Sequence, residues 1–138
     1  MAKFKILWID DDVDAPELMS EHDALEEQGC IITPITNPDQ LRFDTIPSFN
    51  CIIIDLFMPT GKLLSFQETR GGSRTGFVLL NKIRKSYPDS KIVVYSVFIV
   101  PEVMSYCKSN NIEYWNKSSL TADEFAMNIV NFIKEDEA

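Results

Sequence analysis

The chain alternates between two kinds of apolar segment, and this alternation limits the possible folds more than any other feature. Short continuous apolar runs rich in isoleucine and valine are typical of strands buried on both faces, and the segments between them carry apolar residues at helical spacing. The predicted strands are KFKILWI (3–9), CIITPIT (30–36), CIIID (51–55), KIVVYSV (91–97) and IEYWNK (112–117), and the predicted helices span 16–29, 37–46, 75–88, 101–109 and 119–135.

Strand and helix repeated five times predict a parallel sheet, because parallel strands need a crossover that is usually a helix. Right-handed crossovers then give an α/β fold of the flavodoxin-like kind, a doubly wound five-stranded parallel sheet in the order 2-1-3-4-5 with helices on both faces. Pro34 assigns the second strand to an edge of the sheet, since proline cannot donate to a central ladder. The length of 138 residues suits one domain, residues 1–138.

The charge and the cysteines limit the partners and the compartment. A net charge of -8 argues against direct binding to nucleic acid or to anionic membranes, which both need basic patches. No apolar run reaches the roughly 18 residues of a membrane span. Cys30, Cys51 and Cys107 are widely spaced and lie beside apolar residues, which predicts buried thiols in a reducing cytoplasm.

Polar side chains lie at the carboxyl ends of four of the five predicted strands. Asp10, Asp11 and Asp12 follow the first strand, and Asp55, Ser96 and Lys117 lie at the ends of the third, fourth and fifth. Because the carboxyl ends of parallel strands share one edge of the sheet, we expect these groups to line one crevice. Clustered carboxylates repel one another and suit Mg²⁺, and with a hydroxyl and an ammonium group they make a set that handles phosphoryl groups.

The connection TGKLLSFQETRGGSR, residues 60–74, is longer than the 2–6 residues usual for such a turn. We expect an inserted loop there. Its glycines and cations suit a partial lid over the crevice, and a surface loop without such a role is the alternative that stays open.

Four motifs in order, ILWIDDD, IIIDLFMP, IVVYS and YWNK, resemble those of the receiver domain of two-component response regulators, of the chemotaxis-response-regulator-like kind. The resemblance covers residues 3–135 except the insertion. It implies that Asp55 accepts a phosphoryl group in a phosphorelay, from a histidine kinase, a phosphotransfer protein or a small phosphodonor. It also implies that Mg²⁺ binds to Asp11, Asp55 and the backbone carbonyl of Phe57, with Asp10 acting through a water molecule.

The same resemblance implies a switch. Ser96 matches the hydroxyl that bonds the phosphoryl group, Tyr114 the aromatic side chain that turns inward, and Lys117 the lysine that pairs with the phosphoryl group. A downstream protein would bind the face made by the fourth helix, the fifth strand and the fifth helix, while self-association into a dimer is left open. Such a domain is a signalling module, not an enzyme, because it catalyses only its own phosphorylation and dephosphorylation.

Several residues depart from the family pattern and leave an alternative open. Ser118 stands where proline usually follows the lysine, and Val97 is branched where a small residue is usual. Phe57 and Phe98 are apolar and bulky, so we expect them, with Val97, to control access and hydrolysis. The alternative is a degenerate receiver that binds proteins independently of phosphorylation.

A second alternative comes from an enzyme class. The run of Asp10, Asp11 and Asp12 also fits the DxD signature of haloacid-dehalogenase-like phosphatases, with Asp10 as the nucleophile and Asp12 as the acid. This alternative leaves Asp55 and Met58-Pro59 unexplained.

Overall fold

The computed structural model describes residues 3–13, 15–58 and 74–135. Of the predicted inserted loop at 60–74, only Arg74 belongs to this part, so the loop and its suggested role as a lid lie outside the described residues. The same holds for Pro59, which ends the IIIDLFMP motif.

Within the described residues, five strands form one parallel sheet in the order β2-β1-β3-β4-β5, which confirms the predicted fold class and strand order. The strands are β1 (Phe4–Ile9), β2 (Cys30–Ile35), β3 (Cys51–Ile54), β4 (Ile92–Ser96) and β5 (Glu113–Asn116). The strand that contains Pro34 lies at an edge, as predicted. Ile9 pairs with Ile54 across β1 and β3, so the acidic residues that follow these two strands emerge side by side.

The described part of the chain contains four α-helices: α1 (Met19–Glu27), α2 (Thr75–Ser86) and α3 (Pro101–Ser109), which lie between strands, and α4 (Ala122–Lys134), which follows β5. The predicted capping box of the last helix is present, with the Thr121 side chain accepting from the Glu124 backbone and the Glu124 side chain accepting from the Thr121 backbone. At the end of α1, Gly29 has a φ of 86°, which explains why glycine follows that helix.

The predicted helix at 37–46 is wrong. Two short 3₁₀ helices, Pro38–Gln40 and Phe43–Ser48, occupy this region. Asn37 caps the first of them, as expected, but Leu41 adopts an extended conformation with ψ of 127° and separates the two pieces. Pro47 lies inside the second piece, where it removes a backbone donor that a continuing α-helix needs.

Alternate residues of the central strands pack on opposite faces, which explains why these strands are apolar throughout. One cluster includes Ile9, Ile54 and Val94, and it is covered by α2 and α3. The other includes Trp8, Ile53, Val93 and Tyr95, and it is covered by α1 and α4. Among the helices of the described residues, none is long and apolar enough to cross a membrane.

Candidate functional site

Asp10 and Asp55 lie next to each other because each follows one of two paired strands. The Asp10 backbone N–H donates to the Ile35 carbonyl, and the Asp55 N–H donates to the Ile9 carbonyl, both at 2.9 Å. These two bonds extend the sheet ladder to the acidic residues themselves. Asp10 is fully buried and Asp55 is only 7% exposed, so their carboxylates are held at the carboxyl edge of the sheet with little access to water.

The Lys117 side chain joins the two carboxylates. Its Nζ lies 2.7 Å from Asp10 Oδ2 and 3.2 Å from Asp55 Oδ2. The Lys117 backbone N–H donates to the Ser96 carbonyl at 2.9 Å, which fixes the start of this side chain relative to β4. The structure therefore brings Asp10, Asp55 and Lys117 together, as the topology of the sequence predicts.

Burial and charge shift the ionisation of this cluster. Burial, and then the nearby Asp55 carboxylate, raise the pKa of Asp10 to about 6, although Lys117 opposes the shift. Burial, followed by the neighbouring Asp12 and Asp55, also raises the pKa of Asp11. Burial alone would lower the pKa of Lys117, but the Asp10 and Asp55 carboxylates together raise it above its ordinary value. The lysine is thus held in its charged form.

The acidic residues also fit a cation. Carboxylate oxygens of Asp10, Asp11 and Asp55 lie within 4.8 Å of one another. A set of oxygen ligands with an exposed member, Asp11, suits Mg²⁺, which keeps several of its waters. Next to Phe57, whose carbonyl is the further predicted ligand, the Leu56 carbonyl accepts from the Gly76 N–H and the Met58 carbonyl accepts from Thr75 Oγ1. These bonds fix the backbone on both sides of Phe57.

Ser96 ends β4 and is fully buried. Its Oγ has no hydrogen-bond partner among the described residues. A buried hydroxyl without a partner is unusual in a folded protein and calls for an explanation such as an absent ion or ligand. Its position at the same sheet edge as the carboxylates fits a group that would bond a phosphoryl oxygen.

The aromatic pair predicted to control access is in contact. The Phe57 and Phe98 ring centroids lie 5.0 Å apart in an edge-to-face arrangement, which joins the loop after β3 to the loop after β4. Phe98 is 57% exposed, and Val97 is 53% exposed, so Val97 does not pack into the crevice as a branched core residue would.

Tyr114, the predicted switch aromatic, ties β5 to the loop after Ser96. Its hydroxyl donates to the Phe98 carbonyl at 2.6 Å and accepts from the Val100 N–H at 3.1 Å. The ring is half-buried and packs against the cluster under α2 and α3. If this loop moves, it therefore either breaks its hydrogen bonds to the Tyr114 hydroxyl or takes the Tyr114 side chain with it.

The turn after Lys117 uses an asparagine side chain. Asn116 Oδ1 accepts from the Ser118 N–H at 2.8 Å and also from the Ser118 hydroxyl. The peptide bonds of the described residues are all trans, so the bond before Ser118 is trans, as is usual for a bond to a residue other than proline. A side-chain turn thus holds the segment where the family usually has proline.

Two contributors to the site were not predicted from the sequence. A Cβ placed on Gly76 would lie 1.9 Å from the Asp55 carbonyl oxygen. The start of α2 therefore lies closer to the Asp55 backbone than a residue other than glycine at position 76 would allow. Arg74 pairs with Glu102 at 2.9 Å and lies over the Phe77 ring at 4.7 Å, which links the start of α2 to the first turn of α3. In the sequence, only the pair Thr75-Gly76 at the start of the predicted helix could have indicated that this helix begins close to the site.

Comparisons with known proteins find matches among solved structures. No protein-family model matches the chain, and no curated protein sequence matches it significantly. A response regulator receiver domain protein from Methanospirillum hungatei JF-1 is 19% identical with a TM-score of 0.73, and the match covers 99% of this chain and 98% of that one.

Two further solved structures are similar over almost the whole chain. A two-component response regulator from Clostridium difficile is 22% identical with a TM-score of 0.69, covering 97% of this chain and 98% of that one. The isolated receiver domain of RcsB from Salmonella enterica serovar Typhimurium, solved with the phosphomimetic BeF₃⁻, is 19% identical with a TM-score of 0.69, covering 96% and 90%. The chain therefore has the fold of response regulator receiver domains. At these identities the similarity establishes the fold, and the chemistry has to be argued from the site.

Proposed function

We propose that this chain is a receiver domain that accepts a phosphoryl group on Asp55 in a Mg²⁺-dependent reaction. One observation carries the proposal: the Lys117 ammonium group bridges the buried carboxylates of Asp10 and Asp55 at 2.7 and 3.2 Å. Asp11 adds a third carboxylate to the same cluster, and the Ser96 hydroxyl lies at the same edge without a partner among the described residues. Phosphoryl transfer depends on such positioning and charge stabilisation.

In the transfer, a carboxylate oxygen of Asp55 forms a bond to phosphorus while the bond between phosphorus and the donor's leaving atom breaks. The leaving group departs with the electron pair, as acetate does from acetyl phosphate. Lys117 is placed to neutralise the phosphoryl oxygens once they replace its contact with Asp55. Asp11, Asp55 and the Phe57 carbonyl would hold Mg²⁺, with Asp10 acting through water, and the bound ion would neutralise charge on the phosphoryl group.

The switch is the second part of the proposal. A phosphoryl oxygen would give the Ser96 hydroxyl the partner that it lacks among the described residues. Ser96 leads directly into the loop whose backbone is bonded to the Tyr114 hydroxyl at Phe98 and Val100. A shift of Ser96 would therefore move this loop and change the face formed by α3, β5 and α4. We assign the binding of a downstream protein to that face.

Intact mass spectrometry with acetyl phosphate and Mg²⁺ tests the proposal. We expect the parent protein to gain one phosphate, and EDTA or the Asp11→Asn substitution to suppress the gain. Asp55→Asn should abolish it. Asp23→Asn, which changes an acidic residue of α1 away from the carboxylate cluster, is the matched control and should behave as the parent does. A phosphate gained by Asp55→Asn at the parental rate would refute the assignment of the acceptor.

Two alternatives are judged against particular contacts. The Phe57–Phe98 contact beside the site favours a degenerate receiver, because it joins the two loops that a switch has to separate or move together. Failure of the parent to gain phosphate or to bind BeF₃⁻ with Mg²⁺ would support it. A phosphatase that uses Asp10 as nucleophile is disfavoured, since Asp10 is fully buried, with Oδ2 bonded to Lys117 and Oδ1 to the Asp12 N–H.

The donor and the location complete the proposal. A histidine kinase or a phosphotransfer protein would supply the phosphoryl group in the cytoplasm, where the three buried, unpaired cysteines would stay reduced. That residues 1–138 form a single domain stays a prediction, and self-association into a dimer stays open.

A further inference from the structure

The Lys117 ammonium group has a third neighbour besides the two carboxylates. Its Nζ lies over the Tyr95 ring, 5.9 Å from the ring centroid. Tyr95 is the last residue of β4 before Ser96, and its side chain points to the face covered by α1 and α4, opposite the face on which Val94 packs. The lysine that joins the carboxylates is therefore also in contact range of an aromatic face, a geometry that attracts a cation.

The Tyr95 ring is held in place more firmly than a loop side chain would be. It is 1% exposed and stacks on the Phe125 ring of α4, with centroids 4.2 Å apart and planes inclined by 21°. Its hydroxyl lies 3.5 Å from Glu21 Oε2 of α1. Phe125 itself contacts Trp8 of β1 at 5.5 Å. The ring is thus packed between the sheet and two helices, so it provides a fixed surface beside a long and otherwise flexible lysine side chain.

An aromatic face suits this task for a chemical reason. It attracts the ammonium group through the ring quadrupole, yet it occupies none of the three N–H donors as a carboxylate or carbonyl would. The donors of Lys117 stay directed at Asp10 and Asp55 in the unmodified protein, and they stay available for phosphoryl oxygens afterwards. The backbone end of Lys117 is fixed separately, by its N–H bond to the Ser96 carbonyl.

We propose that Tyr95 is a positioning residue for Lys117: its ring, packed on Phe125, holds the ammonium group between Asp10 and Asp55 in readiness for the phosphoryl group. This inference rests on the proposed function of the site and goes beyond it. It assigns a role to a buried core residue that would contact neither the phosphoryl group nor the proposed Mg²⁺ ion. It also makes the ring, not the hydroxyl, the essential part of Tyr95.

Phosphorylation rates of three variants test the inference. With acetyl phosphate and Mg²⁺, Tyr95→Leu should be slower than the parent by about tenfold, which corresponds to a cation–π energy between those of exposed and desolvated contacts, whereas Tyr95→Phe keeps the ring and should stay within about twofold. Ile129→Ala, a cavity in the same core cluster away from the site, controls for loss of stability and should not slow the reaction once folded. Equal rates for Tyr95→Leu and the parent would overturn the inference.

A second background separates positioning from general structural damage. If Tyr95 acts through Lys117, adding Tyr95→Leu to Lys117→Met should cause no further slowing. The same tenfold slowing in both backgrounds, or slowing by Tyr95→Phe equal to that by Tyr95→Leu, would contradict the proposal.

The position of Lys117 can also be read without phosphorylation, by the NMR shift of its side-chain methylene protons next to the ammonium group. The ring current of Tyr95 should move these signals upfield in the parent and in Tyr95→Phe, and the shift should be lost in Tyr95→Leu. Unchanged signals in Tyr95→Leu would refute the inference. A parent that shows the ring-current shift but gains no phosphate would refute the proposed function while leaving the contact between Tyr95 and Lys117 established.

Discussion

At the scale of single residues, the Lys117 ammonium group, which contacts both carboxylates, explains how two neighbouring buried strands can each be followed by an acidic residue. Two carboxylates held this close at low exposure repel each other, and an isolated buried charge is costly. Lys117 offsets that cost by contacting both Asp10 and Asp55. The three residues therefore act as one unit, and the effect of changing any one of them depends on the other two.

Gly76 gives the first prediction at this scale. We expect Gly76→Ala to destabilise the protein by about 1–3 kcal/mol, because the new Cβ would overlap the Asp55 carbonyl oxygen and force α2 away from it. The same movement should slow phosphorylation of Asp55. Urea unfolding and intact mass measure the two effects.

Gly29→Ala is the matched control for this prediction. Its φ of 86° makes alanine unfavourable by roughly 1 kcal/mol, but the residue lies at the opposite end of β2 from the site. It should lose stability without losing phosphorylation in the folded protein. A Gly76→Ala protein as stable as the parent would show that α2 is not packed on Asp55 as described.

The aromatic pair gives the second prediction. Phe57 and Phe98 offer no side-chain hydrogen bond to a water molecule that attacks the phosphoryl group, and their rings are in contact between the loop after β3 and the loop after β4. In Phe57→Asn with Phe98→Glu we expect phospho-Asp55 to decay faster by on the order of tenfold or more, since polar side chains can orient that water. Timed intact mass measurements follow the decay.

Phe77→Leu serves as the control, because Phe77 packs against Tyr106 rather than against Phe98. It should leave the lifetime of phospho-Asp55 unchanged. Equal decay in the parent and the double variant would remove any shielding role from the Phe57–Phe98 contact.

At the scale of elements, the loop between β4 and α3 connects the site to the proposed partner face. It begins at Ser96, its backbone is bonded to the Tyr114 hydroxyl of β5, and the helix that follows is tied to α2 by the Arg74–Glu102 pair. The loop is thus held from both neighbouring elements, and its three exposed apolar residues, Val97, Phe98 and Ile99, lie between Ser96 and Val100. In the proposed switch, the conformation of this loop would decide which apolar surface a partner protein contacts.

Removing the Tyr114 hydroxyl should loosen this loop. We expect Tyr114→Phe to speed hydrogen exchange of the amides of residues 98–100 in the unmodified protein, because the bonds to the Phe98 carbonyl and the Val100 N–H are lost while the ring stays. Tyr106→Phe removes another tyrosine hydroxyl, bonded to Asn81 of α2, and should leave these amides unchanged. Identical exchange in Tyr114→Phe and the parent would contradict the restraint.

The tie between α2 and α3 is expected to be weak in energy. Arg74 and Glu102 form a two-pronged contact, but Glu102 is largely exposed, so a double-mutant cycle should give a coupling of only about 0.5–1 kcal/mol. Urea unfolding of Arg74→Ala, Glu102→Ala and the double variant measures it. Strictly additive losses would show that the pair does not couple the two helices.

At the scale of the whole molecule, the parallel sheet and its carboxyl edge could be predicted from the sequence because they depend on local patterns. Apolar runs that end in Asp10 and Asp55 identify paired strands, and the sheet topology then brings Lys117 to them. The predicted helix at 37–46 could not be excluded in this way. This segment forms two 3₁₀ helices instead of one α-helix because of the extended Leu41 and of Pro47 together.

The contacts of Gly76, Arg74 and Tyr95 could not be predicted from the sequence either. Each depends on a distance between elements far apart in the chain, such as Gly76 against Asp55 or the Tyr95 ring under Lys117. Periodicity and motif spacing carry no information on such distances. A residue such as Tyr95, which the sequence pattern assigns to the core, can therefore lie next to the site although no local sequence pattern indicates it.

Phosphorylation should change one face of the molecule rather than all of it. We expect NMR signals of residues 97–115 to shift between the free and phosphorylated protein, since this stretch holds the loop after Ser96, α3 and most of β5. Signals from β2, at the far edge of the sheet, serve as the internal control and should stay in place. Shifts confined to residues 55–58 would indicate a modified domain that does not switch.

The most direct test of the account is to locate the phosphoryl group in the chain. After reaction with acetyl phosphate and Mg²⁺, borohydride reduces an acyl phosphate on aspartate to homoserine, and peptide mass spectrometry identifies the reduced residue. If Asp55 is the acceptor, homoserine appears at position 55 and aspartate stays unmodified at positions 10, 11 and 12. Homoserine at position 10 would contradict it and favour the phosphatase chemistry, and the absence of homoserine in the parent would contradict phosphorylation of this site altogether.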